Sequence, residues 1–370
     1  MIRVERRLTN PRWLSVAVPL LSLVVALVVS GVVVAATGHD PFATFKRIFE
    51  RGFFEDDAIT YTLISATPLL FTGLAAALAF RVALWNIGAE GQLYAGAVAA
   101  SGVGLAFGAQ PRAIIIASMV GAGLAAGMVW GLIPAILRAY FATNEIITSL
   151  MLNYVAGLGM SYLIFSSRSY WRDTSSPGAE QFPQGKVLSD AASWPALHLG
   201  PVTVPLGFIL AIAAAMGLWG IYHRTRLGFE MQVTGDSPRA ANYAGIRGKR
   251  TILAVLGISG GVAGVAGASQ VGDFRHLLDS KSLQQTGFGY TGIVVAALAR
   301  YNPLAVIIVA FLIGGLQNAG YSLQGPDFPA GLVGVMQGTI LFCALGGEIF
   351  ARYRIRLGRR SVAPSVEVGA

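Results

Sequence analysis

Apolar residues come in long runs along most of this chain. A helix rises about 1.5 Å per residue, so about 20 apolar residues cross a hydrocarbon core of about 30 Å. The runs predict ten such spans, at residues 13–37, 59–79, 92–110, 113–137, 146–165, 204–222, 252–271, 283–299, 303–323 and 330–350. The fold class expected is therefore all-α, a polytopic bundle of membrane helices. The first run is too long for a cleavable signal peptide and is expected to stay as a helix. Two intervening stretches are more than turns. Residues 39–58 place Phe42, Phe45, Ile48, Phe49 and Phe53 at helical spacing, with Glu50, Glu55, Asp56 and Asp57 on the acidic side. That pattern predicts an amphipathic helix at the membrane interface, capping the bundle. Residues 166–203 carry Trp171, Pro177, Pro183 and Trp194 in a long polar loop that could meet an external partner.

Composition and charge agree with this picture and orient it. Of the 370 residues 54% are hydrophobic and 12% charged, about half the usual charged share. The 46 glycines cluster inside the apolar runs, as close-packed membrane helices require. The net charge of +9 does not indicate nucleic acid, because the basic residues sit at the ends of the spans. With the N-terminus inside, 18 of the 27 basic residues fall on inner segments. That bias puts both ends in the cytoplasm. The expected organisation is a basic cytoplasmic N-terminus at 1–12, one transmembrane domain at 13–350, and a basic cytoplasmic tail at 351–370. Residues 223–251 form the inner loop and 166–203 the outer one.

Several chemistries lack their residues. ATP hydrolysis needs a glycine-rich loop ending in Gly-Lys-Ser/Thr, but Gly248-Lys249 is followed by Arg250. The chain cannot power transport by itself. The four histidines are scattered, Asp273, His276 and Asp279 make a weak metal candidate, and no Ser/His/Asp set is suggested. The expectation is no metal, no bound cofactor and no enzyme. The lone Cys343 cannot close an intrachain disulfide. Proton- or sodium-driven carriers place acids within their spans, and here Glu90 is almost the only candidate. A self-contained secondary transporter stays as the alternative of another class.

Four segments carry candidate mechanism. The run Leu84–Gln92 interrupts two apolar spans with Asn86, Gly88, Glu90, Gly91 and Gln92. It reads either as a broken helix at a midplane ligand site or as a short cytoplasmic turn. In the run Thr143–Tyr154, Thr143 or Asn144 can cap a helix, and Asn153 then lies well inside it. A buried amide in lipid must face the bundle or the pathway. The inner loop holds Gly235, Asp236, Ser237, Pro238, Ala240, Ala241, Tyr243, Gly245 and Ile246. Asp236 or Ser237 caps, Pro238 takes the first helical position and Gly245 ends the helix. Such a short helix can carry force between the membrane and a soluble partner. The fourth segment, Gly287–Gly292, is a second glycine-interrupted stretch and contains Tyr290. Gly123, Gly127 and Gly131 on one side, and Gly260 with Gly264 on another, signal close helix packing.

The runs at 86–92, 144–154 and 235–246 resemble, in this order, the branched-chain amino acid/ribose superfamily of ATP-binding-cassette importer permeases. Within it they most resemble the nucleoside and simple-sugar branch. In the ribose branch the place of residues 86–92 holds an Asp-Leu-Ser-Val-Gly-Ser run, from which this chain departs. The resemblance covers roughly residues 40–350. It implies a permease subunit in the bacterial cytoplasmic (inner) membrane, with the ATP used by separate cytoplasmic ATPase subunits. It also implies an extracytoplasmic substrate-binding protein and a second, unlike permease. Residues 235–246 match the family's ATPase-coupling loop. A nucleoside or nucleobase is the expected solute, with a simple sugar or riboflavin as the alternative. Asn86, Gly88, Glu90, Gly91, Gln92, Asn153 and Tyr290 are the candidate lining of the translocation pathway.

Overall fold

A computed structural model of the chain describes residues 2–6, 14–108, 110–166, 168–176, 178–323 and 331–357. Pro177 and the basic residues Arg7, Arg12, Arg359 and Arg360 lie outside the described residues. The order of elements is β1 (Ile2–Arg6), α1 (Leu14–Ala36), α2 (Pro41–Phe53), α3 (Ala58–Phe80), α4 (Ala89–Ala106), α5 (Arg112–Phe141) and α6 (Glu145–Ser161). A short hairpin follows, β2 (Ala196–Leu199) and β3 (Val202–Pro205). Then come α7 (Leu206–Arg224), α8 (Arg226–Asp236), α9 (Pro238–Tyr243), α10 (Gly248–Ser269), α11 (Ser280–Thr286), α12 (Phe288–Leu298), α13 (Pro303–Ser322), α14 (Gly331–Arg352) and β4 (Tyr353–Leu357). The molecule is a helical membrane protein with almost no sheet.

Among the described residues, six helices are long and apolar enough to cross a membrane, or seven if Val24–Ala36 and Pro41–Phe53 count as one broken span. The six are Ala58–Phe80, Arg112–Phe141, Glu145–Ser166, Leu206–Arg224, Gly248–Arg275 and Pro303–Ser322. The sequence reading placed ten spans, and two of the differences have clear causes. The stretch 283–299 is cut at Gly287, whose φ of +59° ends α11 and starts α12. The 11 residues of α12 reach only about 16 Å at the helical rise. At 92–110 the helix α4 starts earlier, at Ala89, and its first turn brings Glu90 and Gln92 into the helix.

The chain divides into two compact units, residues 1–44 with 334–370, and residues 45–333. In the first, β1 and β4 pair antiparallel, with Ile2 opposite Leu357 and Arg6 opposite Tyr353. Neither strand was foreseen.

In the second unit α3 and α10 form the centre. The helix α3 is apolar on every side, and such a helix is buried all round. In its most apolar stretch 83% of the residues are buried, against 22% in α5. The helix α10 packs on α5, α4 and α3, and glycine makes that approach possible. A Cβ on Gly127 would strike the carbonyl oxygen of Gly260, and one on Gly264 would strike that of Gly123. The two glycine rows singled out in the sequence are thus each other's partners. The C-terminal part of α2 lies on α3 and α13: Phe53 stacks near Phe311 at 5.5 Å, and the Thr62 hydroxyl donates to the Gly52 carbonyl at 2.7 Å. The polar side of α2 carries the ion pairs Lys46–Glu50 at 3.7 Å and Arg51–Glu55 at 2.6 Å.

The loop 166–203 is folded against the helix ends. Trp171 donates its indole N–H to the Val98 carbonyl at 3.0 Å, and the Trp194 backbone N–H donates to the Gly272 carbonyl at 2.9 Å. Asp273 accepts from the Gly207 N–H at 2.9 Å, and Asp279 accepts from the Ser282 N–H at 3.0 Å. Both carboxylates serve as caps for helix starts.

Candidate functional site

The segment after α3 turns sharply at Ala83, which has φ +55°, and runs through Trp85 to Gly88 before α4 begins. Its backbone leaves donors and acceptors outside regular helix, and where these are buried they need partners. Other helices supply the partners. Asn86 and Gln92 face each other as an amide pair. The Asn86 Nδ2 donates to Gln92 Oε1 at 2.9 Å, and Gln92 Nε2 donates to Asn86 Oδ1 at 3.1 Å. Asn86 Oδ1 also accepts from the Gly88 N–H at 3.0 Å. The second Asn86 donor reaches Ser259 Oγ of α10 at 2.7 Å, and that hydroxyl donates to the Ala75 carbonyl of α3 at 2.7 Å. One amide thus ties α3, α4 and α10.

Asn153 does the same from α6. Its Oδ1 accepts from the Gly91 N–H at 2.9 Å, one of the donors a helix start leaves unpaired. Its Nδ2 donates to the Ile87 carbonyl at 2.9 Å and to the Tyr290 hydroxyl at 3.3 Å. Glu90 reaches the other short helix. Its Oε1 accepts from the Tyr94 hydroxyl at 2.6 Å, and its Oε2 accepts from the backbone N–H of Gly289 in the first turn of α12. A carboxylate at a helix N-terminus meets the positive end of the helix dipole. A Cβ on Gly289 would strike the backbone of Glu90, so this meeting of two helix starts needs glycine there.

All seven pathway candidates therefore sit together. Asn86, Glu90, Gln92 and Asn153 are between 1% and 4% exposed, whereas Tyr290 is 42% exposed. Residues 81–88 are turn and irregular backbone, and from Ala89 the segment becomes a helix start buried among α6, α10 and α12. Ser259 and Tyr94 were missed. Tyr94 stands four residues after Glu90, a helical spacing that could have found it. Ser259 had no signal beyond a small polar residue in an apolar run.

The inner-loop candidates form a second group. Ser237 caps α9, its hydroxyl accepting from the Ala240 N–H at 3.3 Å, with Pro238 at the first helical position. Gly245 has φ +74° and closes the turn after the helix. Ala241 and Ile246 are buried, Asp236 and Ala240 are exposed, and Tyr243 is 94% exposed. The loop holds a further helix that the sequence reading did not foresee. The helix α8 is capped by Thr225, which accepts from the Gly228 N–H at 3.2 Å. Its end lies on the turn that leads to Asn86: a Cβ on Gly235 would strike the Arg81 carbonyl. The Arg81 guanidinium in turn lies 4.5 Å from the centre of the Tyr222 ring. The end of α8 thus touches the turn that leads to Asn86.

Residues 58–345 match the family described as the branched-chain amino acid transport system permease component. The chain belongs to this permease family. It is a transport subunit and not a catalytic enzyme. The permease is similar to the glucose ABC transporter permease protein of Haloferax volcanii, at 32% identity over 100% of this chain and 98% of the relative. It is also similar to the nucleoside ABC transporter permease protein of Lactococcus lactis subsp. cremoris, at 30% over 90% and 91%. The guanosine ABC transporter permease protein of Bacillus subtilis is 33% identical over 81% and 84%. No solved structure matches the permease.

Proposed function

We propose that the permease carries a nucleoside or nucleobase across the bacterial cytoplasmic membrane as one of two unlike permease subunits of an ATP-driven importer. The observation that carries this reading is the similarity to nucleoside and guanosine permeases over most of the chain. The similarity to a glucose permease extends further, over 100% of this chain, and favours a simple sugar as the second reading. Ten crossings result if α1, α4, the α11–α12 pair and α14 cross the membrane with the six longer helices. Both ends then lie in the cytoplasm. The antiparallel pairing of β1 with β4 supports this, since paired ends need one face.

In this reading Asn86, Gly88, Glu90, Gly91, Gln92, Asn153 and Tyr290 build the wall of the pathway, with Tyr290 offering its exposed ring. Residues 235–246 dock on a cytoplasmic ATPase subunit, which holds the ATP, and an extracytoplasmic binding protein delivers the solute near 166–203. Movement of the ATPase reaches α9, passes to α8, and arrives at the turn before Asn86 through the Gly235–Arg81 contact.

Uptake into proteoliposomes holding the complete importer is expected to stop when the partner ATPase is inactivated. Uptake by the permease alone, driven by a proton or sodium gradient, would overturn the reading in favour of a secondary transporter.

A further inference from the structure

The start of α3, the π-helical segment that follows α10, and α11, α12 and α13 line a half-open cavity of about 260 Å³. It lies at the opposite end of α3 from Arg81, where Gly235 makes contact. The separation between Tyr61 and Arg81 is about 30 Å at the helical rise. Four aromatic rings line it, those of Tyr61, Phe274, Phe288 and Tyr321. Its floor is the first turn of α12. There the Phe288 carbonyl accepts from the Thr72 hydroxyl at 3.0 Å, and the Gly289 N–H is taken by Glu90. The cavity therefore stands directly beside the network described above.

Two buried polar side chains lining the cavity have capacity to spare. Gln270 is only 3% exposed, and among the described residues no side-chain hydrogen bond uses its amide. The Arg275 side chain is 10% exposed. Its Nη1 donates to Asp279 Oδ2 at 3.2 Å and to the Ser282 hydroxyl, while its buried Nε has no partner. The buried Arg275 Nε is costly unless something pairs with it. Residues 270–275 are π-helical, a rare form that is frequent at functional sites.

We propose that this cavity is a solute-binding site within the permease and that it takes a neutral nucleoside. The chemistry selects this class in three steps. Asp279 already balances the Arg275 charge, so the site does not call for an anion. Its volume lies just under the roughly 300 Å³ at which drug-sized pockets begin, which suits a small metabolite. Aromatic rings stack on the faces of a base, while an amide and a guanidinium N–H match the donors and acceptors on its edge. A hexose can lay a C–H face on a ring, but it lacks the π-face and the base edge that a nucleoside brings to these rings, the amide and the guanidinium. The proposal rests on the reading of the permease as a nucleoside importer.

The test uses the complete importer in proteoliposomes, with radiolabelled guanosine and glucose as the probes. Gln270→Leu removes the amide at similar bulk and is expected to raise the KM for guanosine about tenfold, the effect of one lost hydrogen bond of about 1.4 kcal/mol. Ser65→Phe fills the cavity and is expected to abolish uptake while pull-down of the ATPase is unchanged. Should Ser65→Phe fail to fold, Gln270→Leu decides alone. Guanosine uptake by wild type with an unchanged KM in Gln270→Leu would overturn the cavity assignment and leave nucleoside import standing. Glucose uptake without guanosine uptake by wild type would overturn the nucleoside reading and the ligand assigned here with it.

Discussion

In the broken segment 84–92 the polar side chains are answered from other helices. Asn86 is held by Ser259 of α10, the Gly91 N–H by Asn153 of α6, and Glu90 by the start of α12. In α9 the answering groups are local. Ser237 caps its own helix, the Ala244 N–H donates to the Ala240 carbonyl at 2.9 Å, and Tyr243 is left 94% exposed. Both regions are written with the same vocabulary of glycine, small residues and short polar side chains. The difference is burial. Buried backbone must find partners inside the protein, whereas a capped, exposed helix is complete by itself and free to present a face. One region is therefore sensitive to the loss of a remote partner, and the other to the loss of its own helix or its exposed surface.

The comparison can be broken most forcefully at Asn153. Asn153→Leu leaves the Gly91 N–H and the Ile87 carbonyl without partners, at about 1–3 kcal/mol for each. The melting temperature of the purified permease in detergent is expected to fall by more than for any change in α9. Ala241→Pro comes next. It removes the Ala241 N–H bond to the Ser237 carbonyl and costs α9 about 3 kcal/mol locally. Membrane insertion is expected to be normal and transport lost, as measured by expression level against uptake. Ser237→Ala removes only the cap and should weaken α9 by about 1 kcal/mol. Hydrogen exchange confined to 237–246 would report it, and Ser237→Asp should restore protection. Tyr243→Ser is expected to change the melting temperature least, within about 0.5 kcal/mol, while weakening ATPase pull-down. A larger stability loss in Tyr243→Ser than in Asn153→Leu would reverse the contrast.

What could be read in advance follows the same division. The cap, the proline and the closing glycine of α9 are a local code, and Ser237, Pro238 and Gly245 take the positions that code assigns. The apolar runs located most of the long helices for a similar reason, since hydropathy is a property of the segment itself. Partnership is not. Nothing in the run 86–92 names Ser259, which is 173 residues away. Nothing in the row Gly123, Gly127 and Gly131 says that Gly260 and Gly264 are what it meets. The stretch 283–299 was read as one span because it is apolar from Ile293 onward, while the backbone angle at Gly287 divides it into α11 and α12. The helix α8 was missed because Thr225 caps it from the very end of α7, leaving no loop to mark the boundary. The pairing of β1 with β4 joins the two ends of the chain, and no local pattern announces it.

In the proposed mechanism α9 receives force from the ATPase and passes it through Gly235 and Arg81 to residues 84–92. Ala240→Glu tests it most directly, because Ala240 is exposed and belongs to no part of the membrane core. The measurement is ATP hydrolysis by the complete importer in proteoliposomes, with and without loaded binding protein, alongside pull-down of the ATPase. The account predicts a normally inserted permease that either no longer retains the ATPase or retains it without solute-stimulated hydrolysis. Unchanged retention together with unchanged stimulation would contradict it and leave α9 as a connector.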